Sequence, residues 1–191
     1  MKIDFEGIKL NLIFESEEID HSKKTIIFFH GFGGSANDWE FIFPLLPENF
    51  QVISVDLIGH GKSDSPTNIH FYYSESIINQ IREVIKSLNV ITPILCGYSM
   101  GGRIALGYAI QYPNEISALI LESSSPGIID KKERENRTLS DSRLAERLET
   151  IGIEKFFDEW YEQPLFNSLR KDTHRFEKLL NSKLEGNIIG I

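Results

Sequence analysis

Short apolar runs and one-sided amphipathic stretches alternate along the first two thirds of the chain. Residues 2–5 and 9–14 flank Glu6-Gly7 and alternate loosely, which predicts an N-terminal hairpin. Residues 25–29, 51–56, 94–96 and 116–122 are apolar-rich runs of strand length, the pattern of strands buried on both faces. Between the first two runs, Asn37 with Glu40 three residues on predicts a capped helix reaching Leu46, before Pro47. From Ser74 onward, Ile77, Ile78, Ile81, Val84, Ile85 and Leu88 follow the 3.6-residue period of a one-sided helix. Gly102, Ala105, Leu106, Ala109 and Ile110 set out another helix directly after the third run. Strands alternating with helices predict an α/β fold with a mostly parallel sheet and helices on both faces.

The pattern changes at Pro126. Residues 131–150 are dense in charge, with Leu139, Leu144 and Leu148 spaced for one apolar face. Phe156, Phe157, Trp160 and Tyr161 form a second amphipathic segment ended by Pro164, and residues 174–180 suggest a third. Three helices without a strand predict a helical lid. The expected organisation is a core over 1–125, a lid over 126–186, and the start of a further core segment over 187–191.

Charge and cysteine content narrow the function. The 191 residues carry a net charge of −8, with a pI near 5.2, which argues against nonspecific nucleic-acid binding. The single cysteine, Cys96, excludes an internal disulfide and fits a reducing compartment. Neither a signal peptide nor a run of membrane-spanning length is present in the sequence. The expectation is a cytoplasmic protein that does not engage a membrane.

Chemistry concentrates where the third apolar run meets its helix, at Gly97-Tyr98-Ser99-Met100-Gly101. Gly-x-Ser-x-Gly between a strand and a helix is the signature of a nucleophile elbow. The chain turns sharply, and side chains at the glycines would collide with neighbouring backbone. Ser99 is then presented at a helix N-terminus, whose amides favour negative charge. His30-Gly31-Phe32-Gly33 follows an early strand, and its glycines let backbone amides approach a substrate. The amides of Phe32 and Met100 are the expected oxyanion donors. A serine needs a proton acceptor, and with such an elbow the chain order is serine, acid, histidine. After Ser99 the sole histidine is His174, which reads better as a solvated lid residue. Gly59-His60-Gly61-Lys62-Ser63 reads as a structural turn, with no catalytic role for His60.

His30-Gly31-Phe32-Gly33-Gly34, Val55-Asp56-Leu57-Ile58-Gly59-His60-Gly61-Lys62-Ser63 and Gly97-Tyr98-Ser99-Met100-Gly101-Gly102-Arg103 together resemble the α/β-hydrolase superfamily. Leu121-Glu122-Ser123-Ser124-Ser125-Pro126-Gly127, the later Arg134, Arg137 and Ser140-Asp141, and Trp160-Tyr161-Glu162-Gln163-Pro164-Leu165-Phe166 narrow the resemblance. They resemble the 2-succinyl-6-hydroxy-2,4-cyclohexadiene-1-carboxylate synthases, lyases of menaquinone (vitamin K2) biosynthesis. The resemblance runs from about residue 26 to the end of the chain. It implies elimination of pyruvate from an anionic tricarboxylate, with Ser99 removing a proton alpha to a carbonyl and no cofactor or metal. It implies substrate contacts from His30, Tyr98, Arg103, Arg137 and Trp160. A further basic residue is implied late in the lid. Asn181 stands at about that place and Lys183 close by, so Lys183 is the candidate.

The family continues past the point corresponding to residue 191 with strands that carry the acid and histidine. The expectation is a truncated chain, a fragment, or one part of a split protein completed by the missing segment or a partner chain. A generic carboxylesterase or C–C hydrolase on the same scaffold, and a remnant that only binds carboxylates, are the alternatives.

Overall fold

A computed structural model describes residues 1–16 and 18–184. The chain divides into two units, Met1–Gly127 and Ile128–Ile191.

The first unit is built on six strands, β1 (Lys2–Phe5), β2 (Ile8–Phe14), β3 (Lys24–Phe29), β4 (Phe50–Val55), β5 (Ile94–Tyr98) and β6 (Ala118–Glu122). Their order across the sheet is β1-β2-β4-β3-β5-β6. The hairpin β1-β2 joins β4 in antiparallel fashion, and β4, β3, β5 and β6 run parallel. Two helices, α1 (Ser74–Ser87) and α2 (Met100–Gln111), provide the crossovers. Alternation along β3 explains how one strand serves two cores. Ile27 and Phe29 pack with the α1 residues Ile78, Ile81, Val84 and Ile85 and with Ala105 and Tyr108 of α2. Ile26 and Phe28 join Trp39, Phe43, Val52 and Cys96 on the other face. Burial pushes the Cys96 thiol up to about 11, with Glu122 adding to it, so Cys96 is a core residue and not a nucleophile.

Two expectations are corrected. The helix capped by Asn37 does not form. The segment makes two 3-10 turns, Ala36–Trp39 and Phe43–Leu45. Pro44 removes an amide from the middle of the expected helix, Ser35 rather than Asn37 precedes the first turn, and Ala36 N–H is drawn 2.6 Å to Asp56. β6 is last in the sheet among the described residues, with Ile120 48% and Leu121 40% exposed. In the second unit, Leu139 is exposed and takes no part in the apolar face it was expected to share with Leu144 and Leu148.

That second unit contains α3 (Lys131–Ile151), α4 (Ile153–Tyr161) and α5 (Thr173–Leu184). Asp130 caps α3 by accepting from Glu133 N–H. Gly152, with φ 79°, turns the chain into α4. Phe156, Phe157, Trp160, Tyr161, Phe166 and Phe176 make a connected aromatic cluster, and Arg147 of α3 pairs with Glu159 of α4 at 2.7 Å. No helix of the described residues is long and apolar enough to cross a membrane. The expected core start over 187–191 lies outside the described residues.

Two polar knots hold the first unit. Asp56, 3% exposed, follows β4. Its carboxylate accepts from Ala36 N–H at 2.6 Å, Lys62 N–H at 2.9 Å and Asn11 Nδ2 at 2.8 Å. Its carbonyl accepts from Ser63 Oγ at 2.6 Å. Asp56 thereby ties together the loop after β3, the loop after β4, and β2. On the far side, the buried Tyr108 of α2 donates its hydroxyl to Glu115 at 2.9 Å. Arg82 of α1 grips the same carboxylate through Nε at 3.0 Å and Nη2 at 2.5 Å. The Arg82 hydrogen bonds hold the Glu115 carboxyl below its ordinary range, against the opposing effect of burial.

Asp56→Ala leaves three donors without their acceptor, so it should cost at least about 3 kcal/mol in urea unfolding. Asn11→Ala, which removes one of the three, should cost about 1 kcal/mol. The lowered Glu115 value contributes stability above the ordinary glutamate pKa of about 4.3. That contribution is lost as pH falls through the lowered value. Glu115→Gln should therefore flatten the acid limb of a stability-against-pH curve and leave the limb above pH 7 in place.

Candidate active site

Ser99 is the single residue between the end of β5 at Tyr98 and the start of α2 at Met100. The turn is made by its own backbone, at φ 50° and ψ −111°. A positive φ on a residue with a Cβ persists where its surroundings over-determine it. Ser99 N–H donates to the Glu122 carbonyl at 2.9 Å, and Arg103 N–H donates to the Ser99 carbonyl at 3.2 Å. The glycines on either side allow two backbones to touch. A Cβ at Gly97 would lie 2.5 Å from the Gly101 carbonyl. One at Gly101 would lie 2.4 Å from the Phe29 carbonyl. The helix start is thus pressed against the end of β3, where the glycine-rich loop begins.

That loop is held by His30, which is fully buried. Its Nε2 accepts from Leu57 N–H at 3.0 Å. The neutral ring therefore carries its proton on Nδ1, which donates to the Gly31 carbonyl at 2.8 Å. Gly34 N–H donates to the same carbonyl at 3.0 Å. In a planar trans peptide the carbonyl and the following N–H point in opposite directions. Fixing the Gly31 carbonyl toward His30 therefore aims the Phe32 amide away from it. His60, 6% exposed, sets its ring 5.0 Å from that of His30. A Cβ at Gly31 would lie 2.7 Å from the Tyr98 ring and 3.5 Å from Ser99 Cβ, so loop and elbow run side by side.

The structure brings together Phe32, Tyr98, Ser99, Met100 and Arg103. Met100 is the first residue of α2, where an amide has no intrahelical acceptor. Tyr98 is 37% exposed beside the loop. Arg103 is exposed one turn into α2 and is in no ion pair among the described residues. His30 belongs to the same cluster, but both its ring nitrogens are engaged within the fold. Among the described residues no imidazole or carboxylate is hydrogen-bonded to Ser99 Oγ.

The remaining candidates belong to the second unit. Arg137 donates from Nε to both oxygens of Asp141, at 2.7 and 2.9 Å. Trp160 is half-buried and stacked on Phe156. Lys183 is 4% exposed in the last turn of α5, and Asn181 is exposed. The side chain of His174 lies outside the described residues. Sequence reasoning missed Asp56 and Ser124. Asp56 stood inside a recognised motif, and its acidic side chain after a buried strand was a usable signal. Ser124 stood in the quoted segment 121–127, undistinguished from the serines on either side.

Comparison with known proteins fits this geometry. The family model for the alpha/beta hydrolase fold matches residues 24–181. A Bacillus subtilis (strain 168) protein, named provisionally as 2-succinyl-6-hydroxy-2,4-cyclohexadiene-1-carboxylate synthase, is 33% identical over 92% of this chain and 64% of its own length. The synthase of that name from Enterobacter sp. (strain 638) is 33% identical over 86% of this chain and 62% of its own length. The chain thus spans less than two thirds of these curated relatives. The structure of MenH from S. aureus superposes with a TM-score of 0.81 at 30% identity, covering 94% of this chain and 68% of that one. An enol-lactonase from Burkholderia xenovorans LB400 shares the fold at a TM-score of 0.84 and 17% identity. The family match takes in every core strand from β3 onward together with α3 and α4, and the chain belongs to the alpha/beta hydrolase family.

Proposed function

We propose that the protein is a cytoplasmic lyase of menaquinone biosynthesis. It eliminates pyruvate from 2-succinyl-5-enolpyruvyl-6-hydroxy-3-cyclohexene-1-carboxylate. The observation that carries the reading is the strained Ser99 at the start of α2, side by side with the Gly31-Phe32 loop. The synthase names of relatives at 33% identity support the choice of substrate.

In this reading Ser99 gives its own proton to a base supplied from outside the described residues and, as an alkoxide, removes the ring proton alpha to the succinyl carbonyl. The electron pair passes to the carbonyl oxygen as an enolate, which the amides of Phe32 and Met100 stabilise. Collapse of the enolate breaks the ether C–O bond. The leaving enolpyruvate takes up a proton and becomes pyruvate, so one proton is lost from the ring and one gained by the product. The substrate brings three carboxylates to a chain of net charge −8, so local cations must offset the overall repulsion. Arg103, exposed one turn into α2, is the proposed partner of one of them, since a guanidinium meets a carboxylate with two parallel hydrogen bonds. Tyr98, Arg137, Trp160 and Lys183 are carried in the reading as further substrate contacts, and His30 as the holder of the oxyanion loop.

Pyruvate release by the full-length protein, followed through a coupled dehydrogenase, tests the reading. Cleavage of simple esters without pyruvate release would overturn it in favour of a generic hydrolase. Carboxylate binding without any turnover would overturn it in favour of a binding protein. Ser99→Ala should lower elimination by about 10²–10⁴-fold and leave substrate affinity in place, because it removes the proton acceptor alone. Arg103→Ala should weaken substrate binding by about tenfold to a hundredfold, the worth of a charge-assisted hydrogen bond.

A further inference from the structure

The elbow at Ser99 has a partner turn. Where β6 ends, Ser123 also adopts a positive φ, of 49°. This swings the chain back so that Ser124 faces the elbow, 25 residues away in sequence. Ser124 Oγ lies 3.1 Å from the Ser99 carbonyl and 3.0 Å from the Glu122 carbonyl. Both neighbours are acceptors, so the hydroxyl donates its one proton between them. The Glu122 carbonyl is the same group that accepts from Ser99 N–H. Ser99 is therefore gripped at both its N–H and its carbonyl, by the Glu122 carbonyl and the Ser124 hydroxyl of the β6 turn.

A third observation comes from α2. A Cβ at Gly102 would fall 1.8 Å from Ser124 Oγ and 2.8 Å from its Cβ. The second glycine of Gly101-Gly102 thus leaves the space that the Ser124 hydroxyl occupies. Two left-handed serines and one vacated Cβ position make a clasp. Neither turn is favourable alone, and each supplies the hydrogen-bonding group that the other lacks.

We infer that Ser124 is a positioning residue, whose hydroxyl locks the strained backbone of Ser99 and so fixes the direction of the nucleophile relative to the Phe32 and Met100 amides. Its importance for turnover rests on the lyase reading above, but the clasp itself does not. The distinction sets the experiment. Residue-resolved amide hydrogen exchange on the protein reads the clasp directly, under conditions where exchange follows local opening. Ser124→Ala should raise exchange at the Ser99 and Arg103 amides by about five- to tenfold, the net worth of one hydrogen bond. The amides of Ile27 and Ile53 in the sheet should be unmoved. Ser124→Thr, which keeps a hydroxyl, should restore protection. Ser124→Cys, a weak donor, should fall between and serves if the alanine variant does not fold.

Unchanged protection at Ser99 and Arg103 in the alanine or cysteine variant would overturn the inference. So would a threonine variant as unprotected as alanine. In the full-length protein, kcat for pyruvate release should fall in Ser124→Ala with KM held, and return in Ser124→Thr. A KM that rises while kcat holds would also overturn the positioning role. If the wild-type protein releases no pyruvate, the lyase reading fails, and the exchange result still decides whether the clasp exists.

Discussion

The structure turns on one backbone contact. The start of α2 lies against the carbonyls that end β3, close enough that a methyl group at Gly101 would meet the Phe29 oxygen at 2.4 Å. That approach forces the chain between β5 and α2 to turn within a single residue. Ser99 absorbs the turn with a left-handed φ. An unstrained turn of three or four residues would carry the hydroxyl away from the loop after β3. The strain and the site are therefore the same feature, and the hydrogen bonds to the Glu122 carbonyl and from Arg103 and Ser124 exist where they can hold it.

The loops beside the elbow are fixed by buried polar groups rather than by packing. Among the described residues Asp56 is a carboxylate without a cation at hydrogen-bond distance, and it is satisfied by two backbone amides and one side-chain amide. His30 spans from Leu57 N–H to the Gly31 carbonyl as a neutral ring, one nitrogen accepting and the other donating. Both residues reach from the β3 loop to the segment that follows β4. A buried donor or acceptor left unmatched costs about 1–3 kcal/mol, so these bridges permit one arrangement of the loops and penalise others. Pre-organisation of this kind is what an oxyanion site requires, because donors already aimed need no reorganisation when charge develops.

Charge works at a different scale. An overall charge of −8 sets solubility and discourages anionic polymers. At Ser99 the relevant fields are those of the helix N-terminus and of Arg103, one turn along α2. These fall off within about a turn of helix and about a Debye length respectively. A net acidic protein and the proposed binding of an anionic substrate are thus compatible.

Most of the architecture was written in periodicity. A strand buried on both faces must be apolar, and a helix covering a sheet must repeat its apolar residues every 3.6 positions. Both constraints act on neighbours in the chain, so β3, β4, β5, α1 and α2 were legible before any coordinates. Gly97, Ser99 and Gly101 were legible for the same reason, since a sharp turn is a local demand. The segment around Asn37 misled because Pro44 and a hydrogen bond to the distant Asp56 override a local cap. Leu139 misled because spacing marks a face without saying that anything covers it. The burial of His30, two of the three donors around Asp56 and the clasp between Ser99 and Ser124 depend on groups that the sheet order brings together from positions 20 to 45 residues apart. Local composition determined which elements form and where the nucleophile turn falls. Tertiary structure alone decided which polar groups meet, because a hydrogen bond is set by distance in space and leaves no period in the chain.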